Sequence, residues 1–336
     1  MTQEHAPTAL RLVDRAPSIT GEEIAAELVP PRQFADATLE SYRPDPEYPS
    51  QAEAVAAVRE AAEPPRGGLF RRKPKPDKPG LYLDGGFGVG KTHLLAALWH
   101  RADGRKYFGT FIEYTALVGA LGYRGAADLL TGASLIAIDE FELDDPGDTM
   151  MMTRLLGELV ESGSRIAATS NTPPNALGEG RFAASDFLRE IHALSERFRT
   201  VRIDGLDYRR RHFEGHAGTS SDQEVEAAVA GSPGATLDDF GALLRHLGEV
   251  HPSRYLKMLT GVPLVGLRRV EQLTDQADAL RFVAFVDRLY DAQIPVVASG
   301  LPLDEVFAED MLAGGYRKKY LRAMSRLISL TSGATE

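Results

Sequence analysis

The chain has 336 residues, long enough for two domains, and its 43% hydrophobic and 26% charged content is that of a globular protein. It contains no cysteine, which excludes disulfides, thiolate catalysis and cysteine-held zinc or iron–sulfur clusters and fits a reducing cytosol. With 38 basic against 48 acidic residues the formal charge is −10, so the field of the whole molecule argues against nucleic acid unless a local basic groove overcomes it. The N-terminus carries Glu4 and Asp14 and no apolar h-region, and no run of about eighteen apolar residues occurs, so neither a signal peptide nor a membrane span is expected.

Residues 1–30 are mixed and polar, with one amphipathic patch (Ile24, Ala25, Leu28, Val29) that reads as a partly ordered helical arm ended by Pro30-Pro31. Pro49-Ser50-Gln51 leads into an alanine-rich helix reaching about Ala62, with Ser50 as its expected N-cap. A segment in this position often covers the adenine in phosphate-loop proteins, which makes Tyr42 and Gln51 candidate base contacts. Plain packing of Tyr42 and capping by Gln51 are the structural alternatives. Residues 64–80 hold five prolines and six basic residues around one Leu-Phe pair, so they read as a mobile basic loop.

An apolar run then stops at Asp84 and passes into Gly85-Gly86-Phe87-Gly88-Val89-Gly90-Lys91-Thr92, followed by an amphipathic stretch from His93 to Trp99. This is G-x-x-x-x-G-K-T between a strand and a helix, the context that makes it a nucleoside-triphosphate loop. The glycines let backbone N–H groups converge on one anion, and the helix beginning at Gly90–Lys91 adds the positive end of its dipole. Lys91 can reach the β- and γ-phosphates of ATP, and the Thr92 hydroxyl can sit on Mg²⁺.

Beyond it, residues 107–114 read as a strand running into a helix. Ser134 to Phe141 is a near-continuous apolar strand ending in Asp139-Glu140, as suits the centre of a parallel sheet. Ligands in such sheets sit beyond the carboxyl ends of the strands. Asp139 suits Mg²⁺ coordination, direct or through water, and Glu140 suits polarising the attacking water. Asp144, Asp145 and Asp148 are explained by a helix N-terminus; that helix should run from Thr149 to Glu161 with Met150, Leu155, Leu156 and Leu159 inward. Arg165 to Asn171 is the next strand, and Asn171 could bond the γ-phosphate or the lytic water. A helix over 186–198 leads through Arg197 to a strand at Val201–Ile203. His212 and His216 have ligand-like spacing but no third partner in view. Residues 217–236 read as a linker or a weak surface helix. Helices are expected over 237–247, 252–259, 277–290 and 316–330, with strands at 263–267 and 294–299.

Taken together these pieces resemble an AAA+ ATPase, and more closely the ZapE family of bacterial cell-division ATPases with its mitochondrial relatives, the lactation-elevated ATPases. The resemblance rests on Tyr42-Arg43-Pro44-Asp45-Pro46 with Pro49-Ser50-Gln51, the phosphate loop, Asp139-Glu140-Phe141, and Thr169 to Pro174. It rests also on Gly205-Leu206-Asp207-Tyr208-Arg209, Arg281-Phe282 with Asp287 to Asp291, and Ser325-Arg326-Leu327. It implies an α/β fold: a P-loop AAA+ ATPase with a parallel sheet flanked by helices, plus a C-terminal mixed α/β and helical lid region. The implied layout is an arm and helix covering the nucleotide (1–63), a basic loop (64–80), the ATPase core (81–215), a linker (216–236) and the lid (237–336). It further implies an ATPase in a homo-oligomeric, hexameric ring, with Asn171 as sensor and Arg197 as the arginine finger reaching a neighbour's γ-phosphate; Arg189 is a rival finger. Arg326 is the corresponding lid arginine. The implied partner is FtsZ or another division-site protein, with the protein cytoplasmic and recruited to the division site. The alternative is a DNA-associated AAA+ ATPase of the helicase-loader type; loaders share the phosphate loop and an ending like Ser195 to Phe198. A second alternative is a nucleotide-gated scaffold without useful turnover.

Overall fold

The apolar run before the phosphate loop becomes strand β1 (Gly80–Gly85), every residue of which is buried, in a computed structural model that describes residues 9–63, 80–143, 146–177, 195–206 and 216–332. The chain divides into two compact units, Thr20–Tyr208 and Met1–Ile19 with Arg209–Glu336.

In the first unit, α1 (Gly21–Glu27) and α2 (Pro49–Ala62) precede β1. Thr20 begins α1 with a capping box, accepting the Glu23 N–H while the Glu23 carboxylate accepts its own. After β1 come α3 (Lys91–Arg101), β2 (Lys106–Thr110), α4 (Phe111–Leu130), β3 (Leu135–Asp139), α5 (Pro146–Glu161), β4 (Arg165–Ser170) and β5 (Phe198–Ile203). The strands form one sheet in the order β2-β3-β4-β1-β5, each neighbouring pair parallel. Both faces are covered, which is why β1 and β3 are apolar almost throughout. Leu81 and Leu83 join Ala54, Leu94 and Leu98 of α2 and α3 on one face. On the other, Tyr82 packs edge-on against Phe141 and Phe198, with ring centroids 6.2 and 5.5 Å away.

Three local expectations change. The strand expected over 107–114 stops at Thr110, because Thr110 and Glu113 form a capping box that starts α4 at once. Ser50 is no N-cap: α2 begins at Pro49, and the Ser50 hydroxyl accepts the Asp204 N–H at 2.9 Å. Met150 is 55% exposed, because the inward stripe of α5 runs through Thr149, Met152, Leu155, Leu156 and Leu159.

The second unit holds β6 (Thr236–Asp239), β7 (Val265–Val270) and β8 (Val296–Gly300), parallel in that order. Of the two readings of 217–236, linker or weak surface helix, the structure holds a helix, α6 (Asp222–Ala230), capped by Ser221 with Glu224 and burying Val225 and Val229. The helix expected from Leu237 begins only at Phe240 (α7, Phe240–Glu249), since 236–239 pair with β7. The short helix α8 (Tyr255–Met258) lies in the expected 252–259 stretch. Its core gathers Phe240, Tyr255, Phe285 and Tyr320 from α7, α8, α9 (Gln276–Asp291) and α11 (Arg317–Ser332), the last preceded by α10 (Glu309–Ala313). The beginning of the chain belongs here too. Leu12 is fully buried in this core, and its N–H donates to the Asp238 carboxylate at 2.9 Å across 226 residues. Residues 9–19 therefore belong to the second compact unit, whereas the expected layout grouped 1–63 as one arm.

Candidate functional site

β1, β3 and β4 finish level with one another, because Asp84 pairs with Ser170 and Ile138 with Ala168. Their carboxyl ends carry the phosphate loop, Asp139-Glu140 and Asn171 to one edge. Gly88 and Gly90 have φ of 67° and 84°, which a side chain would resist, so the loop curls only because they are glycines. Gly90 is also the N-cap of α3, whose first two residues are Lys91 and Thr92.

Lys91 is 8% exposed and uses its donors within the site. Its ammonium bonds the Gly85 carbonyl at 2.9 Å, the Gly86 carbonyl at 2.5 Å and the Asn171 amide oxygen at 2.8 Å. The Thr92 hydroxyl lies 3.2 and 3.1 Å from the two oxygens of Asp139. A hydroxyl and a carboxylate meeting in this way are hard oxygen donors of the kind Mg²⁺ takes, so the donor set fits that ion. Burial and the neighbouring Glu140 charge push the Asp139 carboxyl above its ordinary range, opposed by the Thr169 and Thr92 hydroxyls and by Lys91.

Glu140 follows with φ of 52°, an uncommon conformation for a side-chain-bearing residue. Thr169 holds this turn. Its hydroxyl donates to Asp139 and accepts the Glu140 N–H at 3.1 Å, while its carbonyl accepts the Phe141 N–H at 2.7 Å. Glu142, buried, accepts from the Ser170 hydroxyl at 3.1 Å and the Asn171 N–H at 3.4 Å, tying the acid strand to the asparagine strand. Sequence reading passed over Glu142 and the hydroxyl of Thr169. Their signal was present, in a third acid two residues past Glu140 and a threonine two before Asn171. Which groups they bond depends on β3 and β4 being neighbours.

Asp84, the buried last side chain of β1, is another. One carboxylate oxygen accepts from Arg202 at 2.9 Å and the other has no partner among the described residues. Arg202 also holds Asp204 at 3.1 Å, and the Asp204 carbonyl accepts from Gln51 at 2.9 Å. The Gln51 oxygen accepts the Asp45 N–H at 2.8 Å, so both ends of this buried amide are bound to backbone. Tyr42 donates its hydroxyl to the Val89 carbonyl at 2.8 Å. The polar groups of both candidate base contacts thus hold protein backbone.

Arg197 stands apart. Its carbonyl accepts the Gly80 N–H at 2.9 Å, at the start of β1 and β5, so it occupies the amino edge of the sheet, roughly 17 Å from the phosphate loop by strand length. Its guanidinium lies beside Gly157 of α5, where an added Cβ would come within 3.2 Å. Arg189, Asp144, Asp145, His212, Asp207 to Arg209 and residues 64–79 lie outside the described residues, as does 186–194 of the helix expected over 186–198, whose last residue, Phe198, begins β5 instead. Arg326 is 7% exposed and its guanidinium bonds the Asp287 carboxylate. Arg322 bonds the other oxygen of Asp287 at 2.6 Å. Arg326 is thereby held within the core of the second unit, the region expected as the lid. His216 pairs with Asp304 at 2.9 Å.

A sheet edge built in this way belongs to a P-loop nucleotide-binding protein. More narrowly, the chain is a member of the AFG1-like ATPase family, which matches residues 20–233 and 215–335. It is 26% identical over 302 residues to the cell division protein ZapE of Escherichia coli strain K12, a match covering 75% of this chain and 78% of that protein. It is also 26% identical over 304 residues to lactation elevated protein 1 homolog B of Danio rerio, covering 72% of this chain and 59% of the other. The resemblance read from the motifs therefore stands. Among solved structures, the replication initiator DnaA bound to AMPPCP and single-stranded DNA matches with a TM-score of 0.41 at 15% identity, covering 88% of this chain and 87% of that one, too distant to bear on function. No helix among the described residues is long and apolar enough to cross a membrane.

Proposed function

We propose that the protein hydrolyses ATP to ADP and phosphate at the edge formed by β1, β3 and β4, and applies the resulting motion to a division-site protein such as FtsZ. The observation that carries the reading is the pairing of Lys91 with Asn171 and of Thr92 with Asp139 through direct hydrogen bonds, with Glu140 the first residue after the strand. In this reading the phosphates replace the carbonyls and amide oxygen that now occupy Lys91, and the loop N–H groups take the remaining charge. Mg²⁺, held by Thr92 and Asp139, would supply charge neutralisation at the phosphates. Glu140 orients and deprotonates the attacking water, and Asn171, released from Lys91, turns to the γ-phosphate.

Arg197 lies at the opposite edge of its own sheet, so any contact it makes with a γ-phosphate must be to another copy. This supports a ring in which each finger serves the neighbouring site. The partner rests on relatedness to ZapE rather than on geometry. The test is the steady-state ATPase rate with FtsZ filaments in one series and single-stranded DNA in the other, with Lys91→Ala as the blank. Stimulation by filaments alone supports the division reading. Stimulation by DNA alone replaces it with a loader function.

A further inference from the structure

Val89 is held more firmly than a variable position of a phosphate loop needs to be. Its side chain is 4% exposed and lies between two glycines: a Cβ added to Gly85 or to Gly205 would come within 3.2 Å of its methyl groups. Its carbonyl accepts the Tyr42 hydroxyl at 2.8 Å. The Tyr42 ring lies directly against the next residue, since a Cβ on Gly90 would fall 2.4 Å from its Cε2. Glycine at 90 is therefore required twice, by its φ of 84° and by this ring.

The ring is itself fastened. It sits 5.8 Å from the imidazole of His93, the residue after Thr92. The His93 Nε2 lies 2.9 Å from both the Ser41 hydroxyl and the Thr38 carbonyl, and His100 Nε2 meets the Phe34 carbonyl at 3.0 Å. Residues 34–42 thus form a strap bonded to α3 at two histidines. Burial pushes the Tyr42 phenol up to about 12, so the hydroxyl remains a donor across the working pH range.

A trans peptide is planar, with its carbonyl and N–H pointing in opposite directions. Holding the Val89 carbonyl on Tyr42 therefore turns the Gly90 N–H away from the strap, one residue before the start of α3 at Lys91. We propose that Tyr42 is a positioning residue for polyphosphate: its hydroxyl sets the Val89–Gly90 peptide so that the Gly90 N–H faces the phosphates, and it does not read the base. This rests on the nucleotide-binding reading above. It assigns the strap to phosphate affinity rather than to selectivity for adenine.

The test is Tyr42→Phe, which removes one oxygen and keeps the ring. Dissociation constants are measured by calorimetry for ATP, GTP and inorganic tripolyphosphate on parent and variant. A uniform loss of about five- to tenfold for all three is expected, the value of one hydrogen bond. KM for ATP should rise by the same factor with kcat unchanged, because the contact is alike in ground and transition states. In ¹⁵N-labelled protein, the downfield movement of the Gly90 amide proton on adding tripolyphosphate should shrink in the variant, a readout that a change in general stability would not produce. Unchanged affinities in a variant whose parent binds all three ligands would overturn the inference alone. A loss for ATP that spares tripolyphosphate would also overturn it, and would restore Tyr42 as a base contact. A parent that binds none of the three would remove the nucleotide reading together with it.

Discussion

Among the described residues there are two parallel sheets, and their carboxyl edges have different fates. After β1 the backbone takes five residues, Gly86 to Gly90, before α3 starts at Lys91. After β6 it takes none: Asp239 ends the strand and Phe240 begins α7. The first arrangement leaves a glycine-rich loop, curled by the positive φ of Gly88 and Gly90, ahead of the N-terminus of α3. In the second, Asp239 caps α7 itself, accepting the Ala242 N–H at 3.0 Å and the Arg269 guanidinium at 2.8 Å. The Ser299 hydroxyl at the end of β8 donates to Asp222 and accepts the Arg269 N–H at 3.2 Å. Arg268 takes Glu226. Both edges are polar, but only one is built around groups that a ligand could take over. A parallel sheet therefore brings polar residues to its carboxyl edge wherever it occurs. A glycine-rich loop with its donors turned inward is what makes that edge a binding site.

The comparison breaks most readily at Glu140. Glu140→Gln should leave ATP binding intact and lower turnover by about 10²–10⁴, read from single-turnover phosphate release. Normal turnover would remove Glu140 as the water-activating group and assign that role to another residue of the first edge. The second unit should respond in stability instead. Asp287→Ala takes the shared carboxylate away from the buried Arg322 and Arg326, and should cost about 3–5 kcal/mol in denaturant unfolding of the full chain. An unchanged midpoint would mean that these arginines find other partners. The smallest effect is expected at the sealed edge. Ser299→Ala removes two network hydrogen bonds, so unfolding should shift by about 1–2 kcal/mol while the ATPase rate stays within about twofold. A large fall in rate there would mean that the second edge also takes part in turnover.

The sequence on its own determined the features encoded within a few residues. The loop from Gly85 to Thr92, the acids ending β3, the asparagine after β4 and most helices announce themselves by spacing and periodicity. The capping boxes at Thr110 and Ser221 were readable in the same local way and corrected two elements once they were seen bonded. Tertiary structure alone decided the pairings that span the chain. Leu12 meeting Asp238, Gln51 meeting Asp204 across 153 residues, Thr169 bracing Asp139, and Tyr42 resting on Gly90 all depend on which strands are neighbours. Arg197 and Arg326 show the limit from the other side. The residue type of each was legible, but not that Arg197 stands at the amino edge of its sheet or that Arg326 is buried on Asp287. The physical reason is that periodicity encodes which face a residue presents, a property of the local backbone. The group it then meets is set by strand order and register, which no short stretch of sequence contains.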